Sequence, residues 1–104
     1  MTKVASTNIF GDTNKVAARY EQIRQLTAAV DWFRNQAVEP DALTIWAVTP
    51  ERKLRPPRAG DNRRTDLAWI LSVDLSRAKI EKRIAVEALR REGGYVYRFT
   101  PEGI

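Results

Sequence analysis

The chemistry-bearing residues of this chain are cations, and six of them fall in one stretch. From Glu51 to Thr65, ERKLRPPRAGDNRRT, stand Arg52, Lys53, Arg55, Arg58, Arg63 and Arg64, against only Glu51 and Asp61. Guanidinium and ammonium groups at this density make charge-assisted hydrogen bonds to an acidic partner, and the commonest such partner is a nucleic-acid phosphate backbone. Pro56, Pro57 and Gly60 keep the stretch out of helix and strand interiors. The sequence therefore predicts a long basic loop held out between two regular elements, of a length typical of functional or disordered loops.

A second group of cations follows. Lys79, Arg83 and Arg90 fall within ~40° of one another at 100° per residue on a helix. Lys79 and Arg83 are the auxiliary binding candidates. Glu87 lies four residues after Arg83, so local pairing is expected to absorb part of that charge. Tyr95, Tyr97 and Phe99 alternate on one face of a strand. They invite comparison with base-stacking platforms, but a small sheet needs one face covered, so the expectation is that they pack under a helix.

Catalytic chemistry finds little material. The chain has no cysteine and no histidine, which removes disulfides, thiolate metal sites, the commonest general base and the commonest zinc ligand. Asp31, Asp41, Asp61, Asp66 and Asp74 are scattered without motif spacing, and no Gly-rich phosphate loop is present. Metal-assisted nuclease chemistry on two carboxylates and a lysine stays a formal alternative that no spacing selects. The expectation is a non-enzymatic protein with no cofactor and no bound metal.

The net charge of +5 is unevenly placed. Residues 1–50 hold five basic and five acidic residues, whereas 75–92 holds six basic against three acidic. The excess lies wholly in the second half, and such asymmetry usually marks a face. No apolar run approaches the ~20 residues of a membrane span, and MTKVASTNIFGD lacks the apolar centre of a signal peptide. A cytoplasmic protein without a membrane partner is expected.

The elements that must position these groups are read from periodicity. Residues 1–12 form an N-terminal arm, expected to be flexible, in which Ile9 and Phe10 can dock on the core; residues 13–104 form one domain. Asp12 or Thr13 caps a helix running to about Gln36, with Val16, Tyr20, Ile23, Leu26, Val30, Phe33 and Ala37 on one stripe. Leu43–Thr49 and Leu67–Val73 read as strands paired in an antiparallel hairpin around the basic loop, with Trp46 and Trp69 as cross-strand core partners. Ser76 caps a second helix to about Glu92, burying Ile80, Ile84, Ala85, Ala88 and Leu89, and Gly93-Gly94 ends it. Tyr95–Phe99 is a terminal strand. The expected fold is α+β in the order α-β-β-α-β: a three-stranded antiparallel sheet with two helices packed on one face and the basic loop between strands 1 and 2.

Arg55–Val73, RPPRAGDNRRTDLAWILSV, with Asp61 and Arg63 before a strand, and the ending FTPEG at Phe99–Gly103 resemble parts of winged-helix regulators. That family places two short helices before its wing. Here a strand and one long helix precede the loop, so no family is assigned.

Two functions follow as expectations. The first is non-enzymatic nucleic-acid binding, of DNA or RNA, through phosphate contacts by Arg52, Lys53, Arg55, Arg58, Arg63 and Arg64, helped by Lys79 and Arg83. The second is a small protein-binding inhibitor or adaptor, of the kind mobile elements encode, that docks on an acidic surface of a host protein. A homodimer through the edge strand 95–99 is compatible with either.

Overall fold

Val16 and Tyr20 are four residues apart, and four is a whole number of strand repeats as well as close to one helical turn. The computed structural model, which describes residues 14–97, resolves this ambiguity in favour of a strand, β1 (Lys15–Tyr20). Val16, Ala18 and Tyr20 face the main core, Ala17 is buried on the other face, and Lys15 and Arg19 are exposed. Alanine on both faces suits a strand hemmed in by neighbours on either side. The first helix therefore starts later than expected, as α1 (Ile23–Asn35). Gln22 is extended, with φ −128° and ψ 141°, and its N–H donates to Gln25 Oε1 at 3.2 Å. Leu26, Ala29 and Phe33 form the buried stripe, while Ala37, with φ 64°, lies beyond the helix and is exposed.

After a 3-10 turn (Pro40–Ala42) the chain forms β2 (Leu43–Val48), a two-residue β3 (Leu54–Arg55), a second 3-10 turn (Asp61–Arg63) and β4 (Ala68–Asp74). The second helical region is broken in two, α2 (Leu75–Ala78) and α3 (Lys82–Arg91), before β5 (Tyr95–Tyr97). The cap of α2 is Asp74 rather than Ser76: its Oδ1 accepts from the Ser76 N–H at 3.1 Å. Lys79, with φ 56°, makes the break. Ala85, Ala88 and Leu89 are buried as expected, but Ile84 is 38% exposed. The arm 1–12, the Asp12 or Thr13 cap and Phe99 lie outside the described residues.

Among the described residues the sheet has five strands, not three, in the order β3-β2-β4-β1-β5, all antiparallel to their neighbours. The observed order along the chain is β-α-β-β-β-α-α-β. The expected pairing of the strands flanking the basic loop holds, from Leu43 opposite Val73 to Val48 opposite Ala68. The two strands that the sequence reading missed are β1, absorbed into the helix, and β3, absorbed into the loop. The segments β1-α1-β2 and β4-α2-α3-β5 are interleaved crossovers: each joins parallel strands with one strand of the other between them. Leu26, Ala29 and Phe33 of α1 and Ala85, Ala88 and Leu89 of α3 join one core cluster with Tyr20, Trp69 and Leu71, so both helices lie on the same face. The expectation of helices on one face is met by this compact α+β domain.

Register corrects two further expectations. Trp69 lies opposite Ala47 and Trp46 opposite Ile70. The tryptophans are thus one register position apart and sit on opposite faces, because a shift of one residue exchanges faces. Trp69 joins the core under the helices; Trp46 packs with Ile70 on the other side. In β5, Val96 opposes Ala18 and packs against the helix-side core, whereas Tyr95 opposes Arg19, faces away from the helices and is 71% exposed.

The closure of α3 onto β1 rests on a tight contact. Buried Tyr20 donates its hydroxyl to the Leu89 carbonyl at 2.9 Å, and the Gly94 N–H donates to the same oxygen at 3.2 Å. A Cβ on Gly94 would lie 2.7 Å from Tyr20 Cζ and 2.8 Å from that oxygen. Gly94→Ala is expected to destabilise the protein by about 1–3 kcal/mol through overpacking. Urea unfolding checks this, and an unchanged midpoint would show that the Tyr20–Leu89 contact yields freely.

Candidate functional site

The basic segment is folded back on the domain. Its first part is the β2–β3 hairpin. The Arg52 N–H donates to the Thr49 carbonyl at 2.8 Å, and the Thr49 N–H to the Lys53 carbonyl at 2.9 Å. The Thr49 hydroxyl accepts from the Lys53 N–H at 3.1 Å. Pro50 presets the turn, and Arg52 takes the left-handed conformation, φ 66°, that closes a three-residue hairpin loop. Arg52 and Lys53 thus stand exposed at a hairpin tip.

The second part is anchored by Asp61, which is only 5% exposed. Arg55 donates to both of its carboxylate oxygens, at 2.8 and 3.0 Å, and the Arg58 N–H adds a third bond at 2.7 Å. Gly60, at φ 90°, makes the turn into this position; open space surrounds it, so glycine serves the backbone rather than packing. The hydrogen bonds from Arg55, and then that from the Arg58 backbone, hold the Asp61 carboxyl down to about 2. The same pair raises Arg55 above its ordinary value. Nearby, Arg64 Nε donates to Asp66 at 2.8 Å in an exposed pair. That bond lowers the Asp66 carboxyl and raises the Arg64 guanidinium.

The six loop cations therefore divide. Arg55 is internal structure and Arg64 is paired with its neighbour. Arg52, Lys53, Arg58 and Arg63 are exposed and have no acidic partner among the described residues.

The auxiliary cations sit elsewhere. Lys79 occupies the α2–α3 break, and Arg83 approaches Glu81 at 3.7 Å, not the expected Glu87. Helix α3 packs over β1 and β5, while the basic loop leans on α1 from the β2 side. Loop and helix cations thus lie at different parts of the domain. Arg58 and Arg63 stand beside α1 on the helix side, Arg52 borders Arg19, Val48 and Ala68 on the side away from the helices, and Arg83 belongs to α3 over β1 and β5.

Three adjoining recesses follow the loop. The first, of about 350 Å³, runs between α1 and residues 57–62; Ile23, Val30, Ile45 and Trp69 line its apolar part, and Arg34 and Arg58 stand at its rim. The second, of about 450 Å³, shares Ile23, Asn62 and Trp69 with it and adds Arg63 and Arg64. The third, of about 440 Å³, lies below the hairpin tip and includes Arg19 and Arg52. Comparison with protein-family models, curated proteins and solved structures finds no match. The site is thus read from its geometry.

Sequence reasoning missed Arg34 and Asn62, which reach this trough from α1 and the second 3-10 turn. It also left Asp61 among the scattered carboxylates. The Gly60-Asp61 pair ahead of a short turn was the available signal, since Asp accepts local backbone N–H groups.

Because the folded-state value of Asp61 lies below its ordinary 3.8, its contribution is fully present above about pH 4. That contribution is lost as pH falls toward about 2. Asp61→Asn is expected to lower the melting temperature at pH 7 and to flatten its decline between pH 4 and 2, whereas Arg63→Ala leaves both unchanged. Thermal melts across this pH range decide it; a wild-type pH profile in the Asp61→Asn protein would remove the anchor role.

Proposed function

We propose that this protein is a non-enzymatic nucleic-acid binder that holds phosphates through Arg52, Lys53, Arg58 and Arg63. The observation that carries this reading is the division of the loop. Two of its cations are spent on Asp61 and Asp66, and four stay exposed without an acidic partner among the described residues. Those four are displayed on a hairpin tip and an anchored turn, so their backbone is ordered before a ligand arrives. Preorganisation reduces the ordering entropy that a floppy arm would lose on binding. Lys79 and Arg83 are left out of the surface, because α2 and α3 pack over β1 and away from the loop, and neither residue lines its recesses.

Phosphate contacts position a ligand without reading its sequence. The reading therefore implies weak sequence preference and steep salt dependence, with log K falling by about 0.9 per contact on a duplex and about 0.7 on a single strand for each unit of log salt. Titration of labelled duplex DNA, single-stranded DNA and RNA at two salt concentrations tests it. Arg58→Ala with Arg63→Ala is expected to weaken binding and to reduce the salt slope by about 2, without changing the melting temperature. Absence of binding at low salt would overturn the reading and favour an acidic protein surface as the partner of the same four cations.

A further inference from the structure

We infer that the ligand is single-stranded, and that the recess between α1 and residues 57–62 takes an unpaired base; this rests on the phosphate-binding reading above. The recess has two walls of different origin. Ile23, Thr27 and Val30 of α1 form one, and Pro57 to Gly60 form the other, with Ile45 and Trp69 between them. Its volume of about 350 Å³ lies in the range of small-ligand pockets, which are mostly apolar with a few polar groups at the rim.

The loop wall is held in place without a ligand. The Arg55–Asp61 pair and the Arg58 N–H bond to Asp61 fix the backbone on either side of Ala59. Arg58 is thereby tethered through its main chain while its exposed guanidinium stays unpaired among the described residues. The recess is a preformed slot.

The chemistry of the slot matches an unpaired base flanked by phosphates. A base is apolar on its two faces and polar on its edge. The slot offers apolar side chains inside and the Asn62 amide, a donor and acceptor, at its mouth. Arg34 and Arg58 stand at the same mouth, and the adjoining recess brings Arg63. Against these cations the first recess has one carboxylate, Asp31. A duplex keeps its base faces stacked inside and turns phosphates outward, so it would meet the cations and leave the apolar slot unused. A single strand uses both, as in sites that combine a basic groove with burial of base faces.

The test compares a 12-nucleotide single strand with a 12-base-pair duplex at one salt concentration, in wild type, Ala59→Trp, Thr27→Trp and Asp31→Asn. Ala59 and Thr27 are exposed and line opposite walls, so either indole fills the slot from a different element. Wild type is expected to bind the single strand about fivefold tighter or more, the effect of taking part of one base face out of water against aliphatic side chains. Either tryptophan variant, if it melts like wild type, should lose that margin and keep its duplex affinity; Asp31→Asn should strengthen single-strand binding. Equal wild-type affinity for the two ligands, or single-strand binding unaffected in both folded tryptophan variants, would overturn this inference while leaving the phosphate surface standing. Binding of neither ligand at low salt would remove both. An acidic peptide with an apolar anchor residue that binds in a manner blocked by Ala59→Trp, while the oligonucleotides are unaffected, would reassign the slot to a protein partner.

Discussion

Three hydrogen bonds converge on the Asp61 carboxylate, two from the Arg55 guanidinium and one from the Arg58 main chain. Arg55 belongs to β3 and Asp61 to a turn, so this contact ties the end of a hairpin to the segment that leads into β4. Without it, the proline-rich stretch between them would have no fixed path, because Pro56 and Pro57 donate no backbone hydrogen bonds. A buried carboxylate requires such partners, since an unpaired charge there would be strongly unfavourable. The constraint acts in both directions: the pair is needed by the buried position, and the loop is held by the pair. The slot beside α1 and the display of Arg58 follow from this closure, while the hairpin tip is held by its own bonds between Thr49, Arg52 and Lys53.

The sheet supplies the fixed frame against which that closure works. Interleaved crossovers place β4 and β1 at its centre, each with a strand on both sides. Small residues at Ala17, Ala18 and Ala68 let the centre pack, and the large side chains Tyr20, Trp69 and Leu71 are reserved for the helix side. Trp69 belongs to this frame and also borders the first recess, so the slot is built on the core rather than on the loop alone. The Tyr20 bond to the Leu89 carbonyl and the close approach of Gly94 fasten α3 at the other margin. No helix among the described residues is long and apolar enough to cross a membrane.

Several features were legible in the residues themselves. Absence of cysteine and histidine, the concentration of cations after position 50, the strands around Trp46 and Trp69, and the glycine stop at Gly93 follow from composition, β-branched content and turn chemistry. These are local properties, and local rules decide them. The expectation of helix through residues 15–20 failed because Val16 and Tyr20 satisfy both periods, and the small residues between them carry no signal of face. The expectation of a protruding loop failed because Leu54 and Arg55 form too short a strand to show alternation.

The sequence by itself therefore determined the α+β class, the sign and location of the charge, and the absence of cysteine and histidine. Only the tertiary structure decided which cations are displayed. Arg55 and Arg58 look alike in the chain, yet one guanidinium is turned inward to Asp61 and the other remains at the rim of the slot. It also decided that Tyr95 faces away from the helices and that Trp46 and Trp69 point to opposite sides. Pairing and facing depend on register and on distances across the fold, whereas composition records only what is available to be paired.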